Sequence, residues 1–150
     1  LFKINKMNPI FLQGLSYRLS RTPIIAKTIT RLTRRVFNFY LSHRVKSGKG
    51  FVLGCGDLGF DIYERKIIGD DCQTDQNVTI GGTPKKYNIP KLGNHAYGRV
   101  SAKTLGPISV GDNVVIVTNT VVVQDISSVS LVEGVPVKII KSKILKSDYV

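Results

Sequence analysis

The sequence has little of several residue types that would indicate a particular class of protein. It contains two cysteines, two histidines, one methionine and no tryptophan among 150 residues, so a disulfide-rich scaffold is excluded. Apolar residues never run for the roughly 18 positions that a membrane-spanning helix needs, and no secretory signal with a cleavage site opens the chain. We therefore expect one domain with a buried core, located in the reducing cytoplasm.

Acidic residues are absent from the first third of the chain. Residues 1–50 hold eleven Lys and Arg and no Asp or Glu, whereas residues 51–150 hold eleven bases and all ten acids. An N-terminal arm therefore carries nearly all of the formal net charge of +12. Such an arm is either the solvated face of packed helices or a contact for an anionic partner. For the second alternative we expect an anionic membrane, contacted through residues 18–49, and no nucleic acid.

From Ile68 to Ser127 the sequence repeats every six residues, with one break near Pro84. The first places of the sixes hold Ile68, Thr74, Ile80, Leu92, Gly98, Thr104, Val110, Ile116 and Val122. The fifth places hold Cys72, Val78, Ala96, Ala102, Ile108, Val114, Thr120 and Ile126. These places carry the small and apolar residues, so we expect both sets to face inwards.

A period of six fits neither an amphipathic helix, which repeats near 3.6 residues, nor a half-buried strand, which repeats every two. It fits a parallel β-helix, in which each six forms one side of a triangular prism. The alternative is a Val-rich sandwich, whose turn signals would recur every 8–12 residues. Glycine follows the first place at Gly69, Gly81, Gly93 and Gly111, and we expect it to supply corner conformations that a side chain would penalise.

The flanking segments differ from the repeat. Helical periodicity predicts two amino-terminal helices, from Pro9 to Ser20 and from Pro23 to about His43. The second has one apolar stripe, composed of Ile25, Ile29, Leu32, Val36, Phe37 and Tyr40. We divide the chain into a basic helical arm (1–46), a β-helix (47–140) and a basic tail (141–150) of one or two helical turns. The fold class is mainly β, with a loop leaving the prism from Pro84 to Lys91.

The segments IGDDCQTDQNVTIGGT, KYNIPKLG, AKTLGPISVGDNVVI and EGVPVKII resemble the serine acetyltransferase branch of the hexapeptide-repeat acyltransferases, including relatives that acetylate polysaccharide precursors. The resemblance implies a left-handed β-helix, a homotrimer and acetyl-CoA as co-substrate in the cleft between neighbouring coils, with no metal. It also implies transfer of the acetyl group to a hydroxyl of serine or of a sugar or polysaccharide precursor.

The resemblance implies a set of residues that bind the co-substrate. They are Gly81, Gly82, Ser101, Ala102, Lys103, Thr118, Asn119 and Lys138. Small side chains would leave room for the pantetheine arm, and Lys103 and Lys138 would meet the CoA phosphates as point charges. Arg99, Val100 and Val117 are bulkier than the Gly or Ala of the family, so the cleft is narrower here.

The catalytic positions of the family have changed in this chain. In the family a histidine removes the proton of the acceptor hydroxyl, and a carboxylate orients the histidine ring. The Asp–His pair of the family falls on Cys55 and Gly56, and the later Arg–His pair falls on Asn88 and Ile89. In the polysaccharide-type relatives the histidine falls on Tyr63.

The remaining candidates for catalysis are His95, which follows the long loop, Tyr63 in the place of the histidine, and Asp57 as an orienting carboxylate. Asp61 has the same possible role as Asp57, and His43 is a further candidate base that also suits the end of a helix. Two hypotheses follow. The protein is an acetyl-CoA-dependent O-acetyltransferase, or it is a catalytically impaired relative that serves as a structural or a CoA- or partner-binding protein.

Overall fold

The chain forms a three-sided parallel β-helix, seen in a computed structural model that describes residues 18, 23–41, 46–54, 58–62, 67–82 and 89–149. A helix, α1 (Pro23–Phe37), precedes the strands. The strands are β1 (Tyr40–Leu41), β2 (Lys46–Ser47), β3 (Val52–Leu53), β4 (Asp61–Ile62), β5 (Ile67–Ile68), β6 (Gln73–Thr74), β7 (Thr79–Gly81), β8 (Lys91–Leu92), β9 (Tyr97–Gly98), β10 (Lys103–Leu105), β11 (Ser109–Val110), β12 (Val115–Ile116), β13 (Val121–Val122), β14 (Ser130–Glu133) and β15 (Lys138–Ser142).

The strands belong to three sheets, one for each side of the prism. Sheet A has the order β1-β4-β7-β10-β13, sheet B the order β2-β5-β8-β11, and sheet C the order β3-β6-β9-β12-β14-β15. Up to β13, each strand pairs in parallel with the strand three places earlier, so three strands make one coil. The chain turns at an A–B corner, a B–C corner and a C–A corner in each coil.

The first and fifth places of the sixes fill the core of the prism. Every one of the seventeen residues predicted to face inwards is buried. Identical places stack from coil to coil, as Ile80, Thr104 and Val122 do in sheet A. The predicted six-residue prism is therefore confirmed, because burial at two places in six is what a three-sided coil requires.

The glycines that follow the first place have a different cause from the predicted one. Gly69, Gly93 and Gly111 do not have positive φ angles. A Cβ atom at Gly93 would instead lie 2.7 Å from the backbone nitrogen of Asp112 in the next coil. The close approach of neighbouring coils therefore requires glycine here, and the predicted need for a special conformation at these positions was wrong.

The B–C corner is held together by a ladder of polar side chains. The backbone N–H of Lys49 donates to Asp70 Oδ1 at 2.8 Å, and the N–H of Asp70 donates to Asn94 Oδ1 at 2.9 Å. The N–H of Asn94 donates to Asp112 Oδ1, and that of Asp112 to Ser128 Oγ at 3.0 Å. Each side chain thus satisfies a backbone donor of the preceding coil, which is a structural role.

Helix α1 is shorter than predicted and presents another face to the coils. It ends at Phe37, Asn38 has a φ of 49°, and Phe39 stacks on Phe60 with ring centroids 5.6 Å apart. Thr33 is fully buried, whereas Leu32 and Val36 of the predicted stripe are 55% and 61% exposed. The Phe39–Phe60 contact sets how the helix meets the first coil, which helical periodicity does not encode.

The two ends of the chain differ in how far the structure describes them. The first predicted helix lies outside the described residues except for Arg18. The division into arm, β-helix and tail stays a prediction, although β1 already lies within the range assigned to the arm. The tail, predicted as one or two helical turns, begins with the last two residues of β15, which is antiparallel to β14, and it contains one short 3-10 helix, Lys146–Asp148. Among the described residues, no helix is long and apolar enough to cross a bilayer.

Candidate functional site

The C–A corner collects most of the residues predicted to bind the co-substrate. Ser101 and Asn119 occupy the same point of neighbouring coils, with φ angles of 60° and 61°. The two coils are joined there by a hydrogen bond from the N–H of Asn119 to the carbonyl of Val100, at 3.0 Å. Ala102 is buried beside Ser101, and Thr118 is exposed beside Asn119. The corner therefore presents small or polar side chains on two neighbouring coils.

Both predicted phosphate-binding lysines lie near this corner. Lys103 begins β10, and its Nζ donates to the carbonyl of Ser101 at 3.1 Å. Lys138 begins β15 and is opposite Glu133 in the antiparallel pair, with its side chain exposed. Gly134, next to Glu133, accepts a hydrogen bond from the N–H of Val121 just above the corner. One cation thus lies on the coil of Ser101 and the other on the final strand of the chain, and both are near the candidate cleft.

Other predicted site residues lie elsewhere. Gly81 and Gly82 lie at the opposite end of sheet A, where the chain enters the A–B corner. His95 is exposed at the B–C corner with a φ of 56°, and its N–H donates to the carbonyl of Asp70. The structure therefore does not bring His95 to the corner that holds Ser101 and Asn119. Tyr63 and Asp57, like His43, lie outside the described residues, so their roles stay predictions.

A column of residues at the start of the C–A corner carries opposite charges. Where sheet C ends, four coils place Gly54, Asp75, Arg99 and Val117 one above another. Asp75 is only 6% exposed, and its Oδ2 accepts a hydrogen bond of 2.8 Å from the hydroxyl of Tyr97. A carboxyl group buried to this extent is unusual unless it is paired or used in function.

The two neighbours of Asp75 in this column differ in what they offer. Gly54 leaves room for the carboxyl group, since a Cβ there would lie 2.7 Å from Asp75 Oδ1. Arg99 is partly buried, and its Nε is buried with no hydrogen-bond partner among the described residues. Buried donors are nearly always satisfied, so an orphan Nε in this place needs an explanation.

Tyr97 is fixed in place by the C-terminal segment. It packs on the outer face of sheet C with Val115, Leu131 and Ile144, and Tyr149 lies against the same cluster. Because the ring is held by this apolar cluster, the hydroxyl has little freedom to leave Asp75. The tail therefore has a packing role that its sequence, predicted only as a basic helical end, did not reveal.

A second carboxyl group lies on the outer face of sheet A. Asp61 is paired in register with Tyr40 and Thr79, and its Oδ1 is buried with no hydrogen-bond partner among the described residues. Burial raises the pKa of the Asp61 carboxyl, and the nearby charge of Arg34 offsets part of that rise. Arg34 also lies over the Tyr40 ring, 5.2 Å from its centroid. Asp61 therefore lies in β4, close to Arg34 of α1.

Sequence reasoning missed the pair of Asp75 and Tyr97, although the sixes contain a signal for it. The second place is glycine at Gly69, Gly93 and Gly111, which all follow strands of sheet B. The second places that follow strands of sheet C hold Asp75, Arg99 and Val117 instead. The other second places of the repeat hold glycine or an aliphatic residue, so the two charged residues mark this corner as different. The hydrogen bond to Tyr97, from a neighbouring coil, required the structure.

The chain is similar to known serine acetyltransferases. It is 36% identical over 134 residues to the serine acetyltransferase of Helicobacter pylori strain J99, covering 84% of this chain and 78% of that protein. It is 34% identical over 122 residues to the serine acetyltransferase of Synechococcus elongatus, covering 80% of this chain and 50% of the relative. The chain thus spans half the length of the Synechococcus relative. No family model matches the chain.

Solved structures give the same result. The crystal structure of Neisseria gonorrhoeae serine acetyltransferase superposes with a TM-score of 0.80 at 26% identity, covering 91% of this chain and 55% of that one. The same enzyme in complex with serine gives a TM-score of 0.78 at 26% identity, with 89% and 55% covered. The predicted architecture, a left-handed parallel β-helix, is confirmed by this match.

Proposed function

Since the chain belongs to the serine acetyltransferase family, we propose that it transfers the acetyl group of acetyl-CoA to the hydroxyl of a small acceptor, with serine as the first candidate. The observation that carries the proposal is the C–A corner, where Ser101, Ala102, Thr118 and Asn119 meet on neighbouring coils. Lys103 and Lys138 beside them suit the phosphates of CoA. A neighbour in the fold comparison is a structure bound to serine, which supports the choice of acceptor.

In the proposed reaction the hydroxyl oxygen of the acceptor attacks the thioester carbon of acetyl-CoA. A base removes the hydroxyl proton, the bond between carbon and sulfur breaks, and CoA leaves as a thiol after taking up that proton. His95, Tyr63 and Asp57 stay predicted participants in this step. Arg99, Val100 and Val117, which we expect to narrow the cleft, are partly buried at the corner.

The experiment has two stages. Acetyl-CoA is titrated into the protein in a calorimeter, and release of CoA thiol is then measured with serine and with a panel of sugars. Binding with serine-dependent thiol release supports the proposal. Thiol release with a sugar and not with serine would show that the acceptor is a sugar or polysaccharide precursor, the other class expected from the sequence. Binding without turnover would favour the impaired relative, and no binding would contradict the proposal.

We also propose that the protein is a homotrimer in the cytoplasm, as the family resemblance implies. Cys72 is buried in the core, where its thiol donates to the carbonyl of Gly93, and this agrees with a reducing compartment. Light scattering tests the trimer directly, because the mass should be three times that of the chain. A monomer at micromolar concentration would contradict it.

A contact with anionic membrane is the second function that a specific observation favours. The exposed side of α1 carries Ile24, Ile25, Leu32 and Val36, which are 80%, 49%, 55% and 61% exposed. Lys27, Arg31, Arg34 and Arg35 of the same helix are exposed too, and the helix has no acidic residue. An exposed apolar stripe bordered by cations is the pattern of a helix that lies in a membrane interface.

Vesicle flotation tests this contact. The protein should float with phosphatidylserine-containing vesicles and not with pure phosphatidylcholine, and binding should fall steeply between low and physiological salt. The double variant L32Q/V36Q should lose binding. The membrane proposal is wrong if wild-type protein does not bind anionic vesicles. If the double variant also changes the mass of the oligomer, the apolar stripe is a contact between copies of the chain.

A further inference from the structure

Among the described residues, no backbone N–H donates to the buried carboxyl group of Asp75. At the B–C corner, Asp70 and Asp112 each accept a hydrogen bond from a backbone N–H of the preceding coil. Asp75 directly follows a strand of sheet C, one place earlier in the six than Asp70 and Asp112, and its Oδ2 accepts from the Tyr97 hydroxyl. A carboxyl group kept 94% buried without that duty calls for another use.

The surroundings of Asp75 coincide with the candidate cleft. Asp75 is the first residue of the C–A turn on the coil before that of Ser101. The next residue, Gln76, accepts a hydrogen bond from the N–H of Ser101 through its carbonyl. Its Oδ1 lies over Gly54, and the next residue along the chain is Cys55, where the family resemblance places the lost catalytic pair. A carboxyl group therefore lies against Gly54, the residue that precedes this position in the sequence.

Arg99 supplies the second observation, and it indicates a ligand. Arg99 is the residue next to Asp75 in the column, on the following coil. Its buried Nε has no hydrogen-bond partner among the described residues. An unsatisfied buried guanidinium nitrogen is costly, and a bound anion would satisfy it with a charge-assisted hydrogen bond. A base and an anion-binding group are thus next to each other on neighbouring coils.

We propose that Asp75, positioned by Tyr97, is the base that accepts the hydroxyl proton, and that Arg99 binds an anionic group of the same acceptor. This inference rests on the proposed function and narrows its substrate class to hydroxyl compounds that also carry a carboxylate or a phosphate. The Asp75 carboxylate takes the proton as the hydroxyl oxygen attacks the thioester carbon. It then returns the proton to the thiolate of CoA, so the carboxylate is regenerated.

The kinetic test compares Asp75→Asn with Asp112→Asn, which is the same change at the B–C corner. Asp75→Asn should lower kcat by about 10²–10⁴-fold, as expected for loss of general-base catalysis, with an unchanged KM for acetyl-CoA and an unchanged melting temperature. Asp112→Asn should keep wild-type rates. Activity of Asp75→Ala should recover partly when formate is added, which a purely structural residue would not show. A rate for Asp75→Asn within twofold of wild type would overturn the assignment.

Two further variants keep the test valid if Asp75→Asn folds poorly. Gly54→Ala places a Cβ against Asp75 Oδ1 and should displace the carboxyl group without removing it, so kcat should fall while CoA binding persists. Tyr97→Phe removes only the positioning hydroxyl and should cost about tenfold or less in kcat. Wild-type rates in both variants would contradict the proposal.

The role of Arg99 is measured through the acceptor. Arg99→Met should raise the KM for serine by about ten- to a hundredfold, the value of a charge-assisted hydrogen bond, and leave the KM for acetyl-CoA unchanged. A hexose 1-phosphate in place of serine distinguishes a phosphate from a carboxylate. If wild-type protein turns over neither acceptor, the proposed function fails. The anion-binding role of Arg99 is then tested by calorimetry, which compares the affinity of wild type and of Arg99→Met for both compounds. Tenfold weaker binding by Arg99→Met then supports it, and equal binding overturns it.

Discussion

Two corners of the same prism use polar residues in opposite ways. At the B–C corner, Asp70, Asn94 and Asp112 each follow a glycine, and like Ser128 they each accept a backbone N–H of the preceding coil. At the C–A corner, Asp75 and Arg99 replace the glycine, and their polar atoms go to a tyrosine hydroxyl or to no described partner. A polar residue that accepts a hydrogen bond from a backbone N–H has a structural role. One that does not is a candidate for function.

The largest effect should come from the close approach of coils at the B–C corner. Gly93→Ala introduces a Cβ that would lie 2.7 Å from the backbone of Asp112 and Gly111, so the coils must separate. We expect a loss of about 3 kcal/mol in the free energy of unfolding, measured by urea denaturation.

The matched control for this change is Gly98→Ala. A Cβ at Gly98 would lie 3.7 Å from Thr74 and Val78, which is ordinary contact in the core. We expect a change within about 1 kcal/mol, in either direction. Equal losses of unfolding free energy in the two variants would show that glycine is needed in the core as much as at the corner. The close approach of coils would then not distinguish the B–C corner.

A smaller effect is expected when a rung of the polar ladder is removed. Asp112→Ala leaves the N–H of Asn94 without its side-chain acceptor, although water replaces part of the bond at this exposed corner. The free energy of unfolding should fall by about 1 kcal/mol, and kcat should not change. Thermal melting and the thiol-release assay measure the two quantities. A fall in kcat as large as that of Asp75→Asn would remove the distinction between the corners.

At the C–A corner, the stability effect of removing a charge should be near zero or favourable. Arg99→Met keeps much of the side-chain volume and removes a buried Nε that has no described partner. We expect the unfolding free energy to change by no more than about 1 kcal/mol, and to rise if anything. A loss of about 3 kcal/mol or more would mean that Arg99 is a structural residue.

The smallest effect concerns Asp61, whose pKa is raised from its ordinary value of 3.8 by burial. The folded protein therefore holds this proton more tightly than the unfolded chain, and stability falls as the pH rises through the range above 3.8. Asp61→Asn should raise the melting temperature slightly at neutral pH, and the gain should disappear as the pH is lowered towards 4. A lower melting temperature at neutral pH would show that the attraction to Arg34 outweighs burial.

The sequence was sufficient to predict the prism, because the period of six acts at every coil and the core places carry small or apolar residues throughout. Thr74, Gly98 and Thr104 are buried despite being poor core residues, since their position in the coil decides their direction. The ends were harder to predict. The side of α1 that meets the coils depends on Phe39 and Phe60, which are separated along the chain and stack only in the folded protein.

The family motifs lead Ser101, Ala102, Thr118 and Asn119 to one corner, because each motif keeps its place within the six. Their role in binding CoA stays a prediction. Nearness in sequence was misleading for His95, which is a few residues before Ser101 but one side of the prism away. The contact of Asp75 with Tyr97 spans two coils, and its geometry depends on the tail that holds the tyrosine ring.

The measurement that tests the central claim most directly is the amide spectrum of isotope-labelled protein during titration with CoA. We predict that the largest shifts occur at residues 99–102 and 117–120 of the C–A corner, with little change at residues 93–96 and 111–114 of the B–C corner. Shifts centred on the B–C corner, next to His95, would contradict the account and would favour His95 as the base.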